Sequence, residues 1–265
     1  MKDLYLRIIN EAEKYNHTQD MLKTIYGIDS NEHFNCIVVA PSWLPEKILK
    51  NYQCNITCIT KHAYFSSYIV QYNNYKIAWL QCASGAGNLI DTVLTLGKSK
   101  CDKIVFVGAV GALKEDIKLG DIVTPKYSLA YEGGSLYTYE DLNTNHFGRI
   151  VYPNDPNFIS SVFEICKSEN ILIEEKVVYC TDSIICEYIH LDQIKALGSE
   201  LIEMETAAFY RSLELIEKKG IALLCVSDNS ASHISLVART EEETKTFHRS
   251  REINIPKIIF GICGL

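Results

Sequence analysis

The residues best placed to do chemistry lie in one stretch, "GSELIEMETAAFYRSLELIEKKGIALLCVSDN" (residues 198–229). It sets two carboxylates around a methionine, Glu203-Met204-Glu205, and ends near a third acid, Asp228. Between them the pattern reads as a helix and then a buried strand. Acids at both turning points have two readings. As caps, Glu205 opens a helix whose dipole favours negative charge, and Asp228 opens a loop through an Asx-turn. As chemistry, both carboxylates face one pocket. A second candidate is "SGAG" (84–87), after the apolar run "YKIAWLQCA". Loops of this kind offer backbone N–H groups to an oxyanion. A dinucleotide fingerprint is incomplete here, because Ile90 occupies its third glycine position. The ten cysteines include no C-x-x-C pair, and Cys54, Cys58 and His62 lack a fourth ligand at zinc spacing. No metal site is expected. Cys36, Cys82, Cys180 and Cys225 adjoin apolar runs, where cysteine behaves as a small buried hydrophobe.

These residues must be held by a sizeable fold. The 265 residues are 47% hydrophobic and 22% charged, which suits one large domain. A net charge of −7 does not imply a nucleic-acid surface. The absence of an apolar run of about 18 residues predicts no membrane span. The charged start "MKDLYLRIINEAEK" has no signal-peptide core. Free thiols and no leader fit a reducing cytoplasm.

Residues 1–35 read as a helical extension, and residues 36–265 as the domain proper. Short apolar runs at 36–40, 75–83, 102–110, 120–131, 176–182 and 220–228 predict strands. Helical patterns fall near 44–51, 87–99, 156–169, 190–197, 205–218 and 241–262, with Pro256 kinking or splitting the last. The expected class is a single α/β domain with a twisted mixed sheet and helices on both faces. Ligands of such sheets sit beyond the carboxyl ends of strands. There the chain carries "APSW" (40–43), "SGAG", "GAVGAL" (108–113), "AYEGGSLY" (130–137), "CTDSIICE" (180–187) and "VSDN" (226–229).

The order "SGAG…VGAVGALKEDIKLGDIV…EGGSLY…TDS…EMETAAFY…VSDN" resembles the nucleoside phosphorylase and nucleosidase family, with its phosphorylase/hydrolase-like fold. It is most similar to the uridine-phosphorylase-like branch. The resemblance runs from about residue 36 to about residue 250. It implies cleavage of an N-glycosidic bond through an oxocarbenium-like ribosyl cation. Met204 would pack under the sugar and Glu205 would accept two vicinal hydroxyls, with Glu203 lining the pocket. Ser227 and Asp228 match the pair in which the acid serves a purine N7, a task that needs a raised pKa. Gly85, Gly87, Gly108, Ala109, Gly111 and Ile184 fall in the substrate-binding loops. Tyr188 and His190 stand where pyrimidine-cleaving members read uracil, so a purine nucleoside is expected.

The acceptor of the ribosyl group is less conserved with the pattern. Phosphorolytic members carry G-D-P-x-R after the first strand, an Arg before the later glycine turn and a hydroxyl within it. Here Ser42, Trp43, Leu44, Pro45 and Glu46 fill the first, Phe106 the second and Ala109 the third. A phosphate dianion would lose two guanidinium partners and a hydroxyl. Arg239 is a substitute for a further family Arg, although Glu243 lies nearer its place. Phosphate as a cosubstrate is therefore disfavoured by the residues while implied by the family. Two alternatives stay open: a hydrolytic nucleosidase whose Glu46 orients water, and a nucleoside-binding protein without turnover. No cofactor, nucleic-acid partner or membrane is expected, and a homodimer or a hexamer is implied.

Overall fold

The computed structural model describes residues 2–265. Two helices, α1 (Lys2–Tyr15) and α2 (Met21–Tyr26), precede the first strand, β1 (Cys36–Val39). Then follow α3 (Pro45–Ile48), β2 (Asn55–Lys61), β3 (Phe65–Tyr72), β4 (Tyr75–Cys82), α4 (Ala86–Thr95), β5 (Lys103–Ala112), β6 (Ile122–Ala130) and β7 (Arg149–Val151). The remainder is α5 (Pro156–Ser168), β8 (Ile173–Cys180), α6 (Leu191–Ala196), β9 (Leu201–Glu203), α7 (Thr206–Ile216), β10 (Lys219–Asn229), α8 (Glu241–Arg249) and α9 (Ile255–Cys263).

The apolar runs are continuous because both faces of their strands are covered. In β1, Ile37 and Val39 join one core cluster while Cys36 and Val38 join another. Ile104 and Phe106 of β5 alternate with Val105 and Val107 in the same way. Residues of α1, α2, α4 and α7 fill the first cluster, and residues of α3, α5, α8 and α9 fill the second. This is the two-sided α/β arrangement expected from the pattern.

The sheet is mixed. β1 lies parallel between β4 and β5, and β4 continues antiparallel into β3 and β2. β5 pairs along its whole length with β10 on one edge. On the other edge it meets β1 over Ile104–Phe106 and β9 over Gly111–Ala112. β9 passes to β8, β8 to β6, and β6 back to β10, so five strands close a ring. Where β1 parts from β5 and β9 arrives on the same edge, the sheet splits, and residues after β1 and around β9 line one cavity beside β5. Such a switch point is where an α/β sheet can seat a ligand.

Four differences from the sequence expectation have physical reasons. The β2–β3 hairpin escapes the apolar-run pattern because β2 is an edge strand with mostly exposed residues. β7 and β9 are three residues each, too short to show a period. The expected helix at 44–51 is the single turn α3, opened by Pro45. The expected break at Pro256 is instead a π-helical turn, Ser250–Asn254, joining α8 to α9. A wider turn there accommodates a proline that cannot donate to the helix ladder.

The N-terminal helices are bound to the same core. Leu4, Tyr5, Ile9, Leu22, Tyr26 and Ile28 are all buried in it. The Tyr26 hydroxyl lies 2.7 Å from Thr92 Oγ1 on α4. Among the described residues no helix is long and apolar enough to cross a membrane.

Candidate active site

A cavity of about 180 Å³ opens at the sheet split. Pro41, Ser42 and Trp43 line it after β1, Ser84 after β4, Phe106 and Gly108–Gly111 along β5, Thr181 after β8, and Glu203–Glu205 after β9. Ser227 and Asp228 come from the end of β10, and Ile184, Glu187 and Leu236 from loops at the rim.

On one side of the cavity the tight passage from β9 into α7 presents Met204 and Glu205. Its geometry depends on Glu203. That carboxylate is buried and accepts from the Glu205 N–H (2.7 Å), the Thr206 N–H (3.0 Å), Thr206 Oγ1 (2.8 Å) and Cys180 Sγ (2.9 Å). Glu203 thus satisfies the orphan donors at the start of α7. Burial pushes its pKa up, and the donors from Cys180, Thr206 and Glu205 oppose that rise. Glu205 has no capping bond of its own to α7. Its Oε1 instead accepts from the Gly85 N–H at 2.6 Å. Burial, and then the neighbouring Glu203 charge, push the Glu205 carboxyl up to about 8, against the lowering effect of Gly85. Gly85 therefore acts on the acid rather than on the cavity surface, and neither Gly85 nor Gly87 lines the cavity. Gly87 lies in the first turn of α4, where a side chain on Gly134 of the "EGGS" loop would come within 3.0 Å of the Gly87 nitrogen.

The Asp228 side is built by a bulge. Val226 is paired with Val110, but Asp228 is paired with Gly111, so Ser227 is the extra residue. A bulge re-aims the side chains around it. Here Asp228 passes over Gly111, where a Cβ would sit 2.9 Å from Asp228 Oδ2. The Ser227 hydroxyl donates to Asp228 Oδ1 at 2.6 Å. Burial raises the Asp228 pKa; the Ser227 hydrogen bond and the Arg239 charge act in the opposite direction. Arg239 is fixed by its Nη1 donating to the Ser227 carbonyl (3.1 Å) and by stacking over Phe247 at 4.5 Å. Glu243 lies in the capping box of α8 with Thr240 and takes no part in the cavity.

The first-strand loop departs from the sequence expectation for water activation. Glu46 is exposed in the first turn of α3 and does not line the cavity. Trp43 and Leu44 pack against the core and turn that residue outward. The loop presents Ser42 instead, in a left-handed conformation (φ 61°), with its Oγ 3.0 Å from Ser84 Oγ. Phe106 packs against Phe209 of α7 (5.4 Å), and Ala109 adds only a methyl group to the lining. Among the described residues no lysine or arginine lines this cavity. None of its acids belongs to a cluster of three or more His, Cys, Asp or Glu arranged to hold a metal ion.

Of the sequence candidates, Glu203, Met204, Glu205, Gly108, Ala109, Gly111, Ile184, Ser227 and Asp228 are brought together around one cavity. Glu187, Ser84 and Thr181 are further lining residues. Tyr188 is exposed, and His190 lines a neighbouring cavity. One signal pointed to Glu187: it is the single charge in the apolar segment "SIICEYI" (183–189).

The cavity lies where the mixed α/β sheet splits, and four acids, Glu187, Glu203, Glu205 and Asp228, line it. The chain belongs to the phosphorylase superfamily, whose family model matches residues 36–259. Relatives include DeoD-type purine nucleoside phosphorylases of Anoxybacillus flavithermus and Bacillus subtilis. The first is 24% identical over 77% of this chain and 84% of its own length. The second is 22% identical over 80% and 88%. Among solved structures, a Vibrio fischeri uridine phosphorylase shares the fold with a TM-score of 0.73 at 17% identity, covering 90% of this chain and 95% of that one. A Campylobacter jejuni 5'-methylthioadenosine/S-adenosyl homocysteine nucleosidase does so with a TM-score of 0.67 at 15% identity, covering 88% and 100%.

Proposed function

We propose that this enzyme cleaves the N-glycosidic bond of a purine nucleoside and transfers the ribosyl group to water. Glu205 holds the ribose hydroxyls over Met204. Asp228, whose pKa burial raises, donates to the leaving base in its protonated form, and Arg239 together with Ser227 fixes and tunes it. The Ser42 and Ser84 hydroxyls orient the attacking water, the task that the sequence alone gave to Glu46. Within this reading the enzyme uses no cofactor, works in the cytoplasm and assembles as a homo-oligomer, as the family resemblance implies.

The observation that carries the reading is the wall of the cavity: acids serve it, and among the described residues no lysine or arginine lines it to pair with a phosphate dianion. A dianion drawn out of water without a guanidinium or ammonium partner is strongly disfavoured. The purine assignment is supported by Asp228, an acid whose raised pKa suits proton donation to a ring nitrogen, and by the names of the DeoD-type relatives. The test is release of free base from a panel of purine and pyrimidine ribosides in phosphate-free buffer. Purine release without phosphate is expected. No release until phosphate is added would replace water by phosphate as the acceptor, and faster pyrimidine release would overturn the base assignment.

A further inference from the structure

The acids of the cavity fall into two interacting pairs. Glu205 responds to Glu203, and Glu187 responds to Asp228. The reading above uses Glu205, Glu203 and Asp228 but leaves Glu187 without a task. Glu187 lies in the 3₁₀ turn Cys186–His190 after β8. Its carboxylate lines the main cavity beside Asp228 and also the wall of an adjoining 310 Å³ cavity with Tyr131, Tyr179, His190 and Gln193. Thr181 shares both walls, so these two residues form the partition. Among the described residues the Glu187 carboxylate has no salt-bridge or side-chain hydrogen-bond partner. A half-buried acid with unmet acceptor capacity, placed where a ligand enters, is suited to read that ligand.

We propose that Glu187 selects the leaving base, accepting a hydrogen bond from an exocyclic amino group on the same base edge that Asp228 protonates, and so favours 6-aminopurine over 6-oxopurine ribosides. The inference rests on the N-glycoside reading and deepens it. On a purine, N7 and the 6-substituent lie on one edge. A 6-amino compound presents an acceptor and then a donor, and an ionised Glu187 complements that donor. A 6-oxo compound presents two acceptors, which needs both acids protonated.

Several charged and titratable groups face Glu187. Asp228 approaches from β10 with Arg239 behind it, Tyr179 from β8, His190 from its own turn, and Glu203 and Glu205 from the wall after β9. Burial, and then Asp228, push Glu187 up to about 7. The acid is therefore neutral below that pH and ionised above it. Preference for the amino substrate must rise with pH across neutrality, whatever the absolute rate does, because both substrates draw the same proton from Asp228.

The test is the ratio of kcat/KM for adenosine to that for inosine between pH 6 and pH 8, in the wild type and in Glu187→Gln. The wild-type ratio is expected to climb about a hundredfold, because across a pKa near 7 the ionised fraction rises about tenfold while the protonated fraction falls about tenfold. The variant, whose amide both donates and accepts at every pH, is expected to show a flat ratio. A flat wild-type ratio, which needs no variant to read, overturns the proposal, as does a slope that survives in Glu187→Gln. In either case base release still upholds the N-glycoside reading. If no nucleoside is cleaved, that reading fails, and the proposal is decided by equilibrium binding of free adenine and hypoxanthine. A rise of about a hundredfold in adenine preference from pH 6 to pH 8 supports it; equal affinities, or no binding, overturn it.

Discussion

Glu205 and Asp228 share one physical circumstance: both are carboxyls drawn out of water, so the neutral form of each persists to higher pH than usual. For Asp228 this is the state that donates a proton. Replacing it by Asn should lower kcat by at least about tenfold, since general acid assistance is worth roughly 10²–10⁴. The melting temperature should change little. The wild-type rate should also fall as pH rises through the Asp228 pKa, and the variant should lack that limb; a variant with full rate on a purine riboside would remove Asp228 from the chemistry. For Glu205 the consequence extends to stability. A carboxyl raised from 4.5 to about 8 contributes its stabilisation fully below the lower value and loses it as pH climbs through the higher one. Glu205→Gln should therefore gain on the wild type by about 1 kcal/mol or more between pH 5 and pH 9, read from denaturant midpoints. The same variant should lose far more rate on ribosides than on 2′,3′-dideoxy analogues, and equal losses would contradict the ribose role. Both acids were legible in the sequence because each follows a strand-like run and matches a motif. Glu187 was not, because a 3₁₀ turn brings it inward and no motif announces it. Glu46 was legible as an acid near a strand end, but side-chain direction in a one-turn helix is set by Trp43 and Leu44 packing, which spacing does not encode.

Glu205 and Asp228 are aimed by elements rather than by neighbours in sequence. The β9-to-α7 corner holds Glu205 through Glu203, which accepts from backbone and side-chain donors at the start of α7. Glu203→Ala should cost roughly 2 kcal/mol or more in unfolding free energy, since it removes a cap and leaves buried donors unmatched. A normal denaturation midpoint would show that water or Glu205 replaces it. The β10 bulge holds Asp228 against Gly111. Gly111→Ala should displace the carboxylate and cost about 1–3 kcal/mol by overpacking. Its kcat should fall further than its stability loss explains, as measured at a temperature where the variant is fully folded; an unchanged kcat would mean that the carboxylate position is not critical. The continuous strands and long helices were readable because their patterns repeat over many residues. The split of the sheet at β5 was not readable, because it rests on the three-residue strand β9 and on pairings between distant segments.

Across the whole molecule, the N-terminal helices share one core with α4 and α7. Leu4, Tyr5 and Ile9 of α1 and Leu22 and Tyr26 of α2 are buried with α4 and α7, the helices whose first turns carry Gly87 and follow Glu205. Deleting residues 1–28 would expose these apolar surfaces, each worth about 1.5–3 kcal/mol per large side chain. The truncated chain should aggregate or melt far below the full chain, as read by calorimetry. A stable, fully active truncation would show that the helices are only an accessory layer. The sequence indicated an extension there, and packing makes it part of the domain. The claim on which the rest depends is that this fold, with no lysine or arginine lining its cavity among the described residues, passes the ribosyl group to water. The most direct measurement is ³¹P and ¹H NMR of the sugar formed from a purine riboside in millimolar phosphate. Free ribose as the product, at a rate changed less than about twofold by phosphate, is the predicted result. Accumulation of ribose 1-phosphate would contradict it.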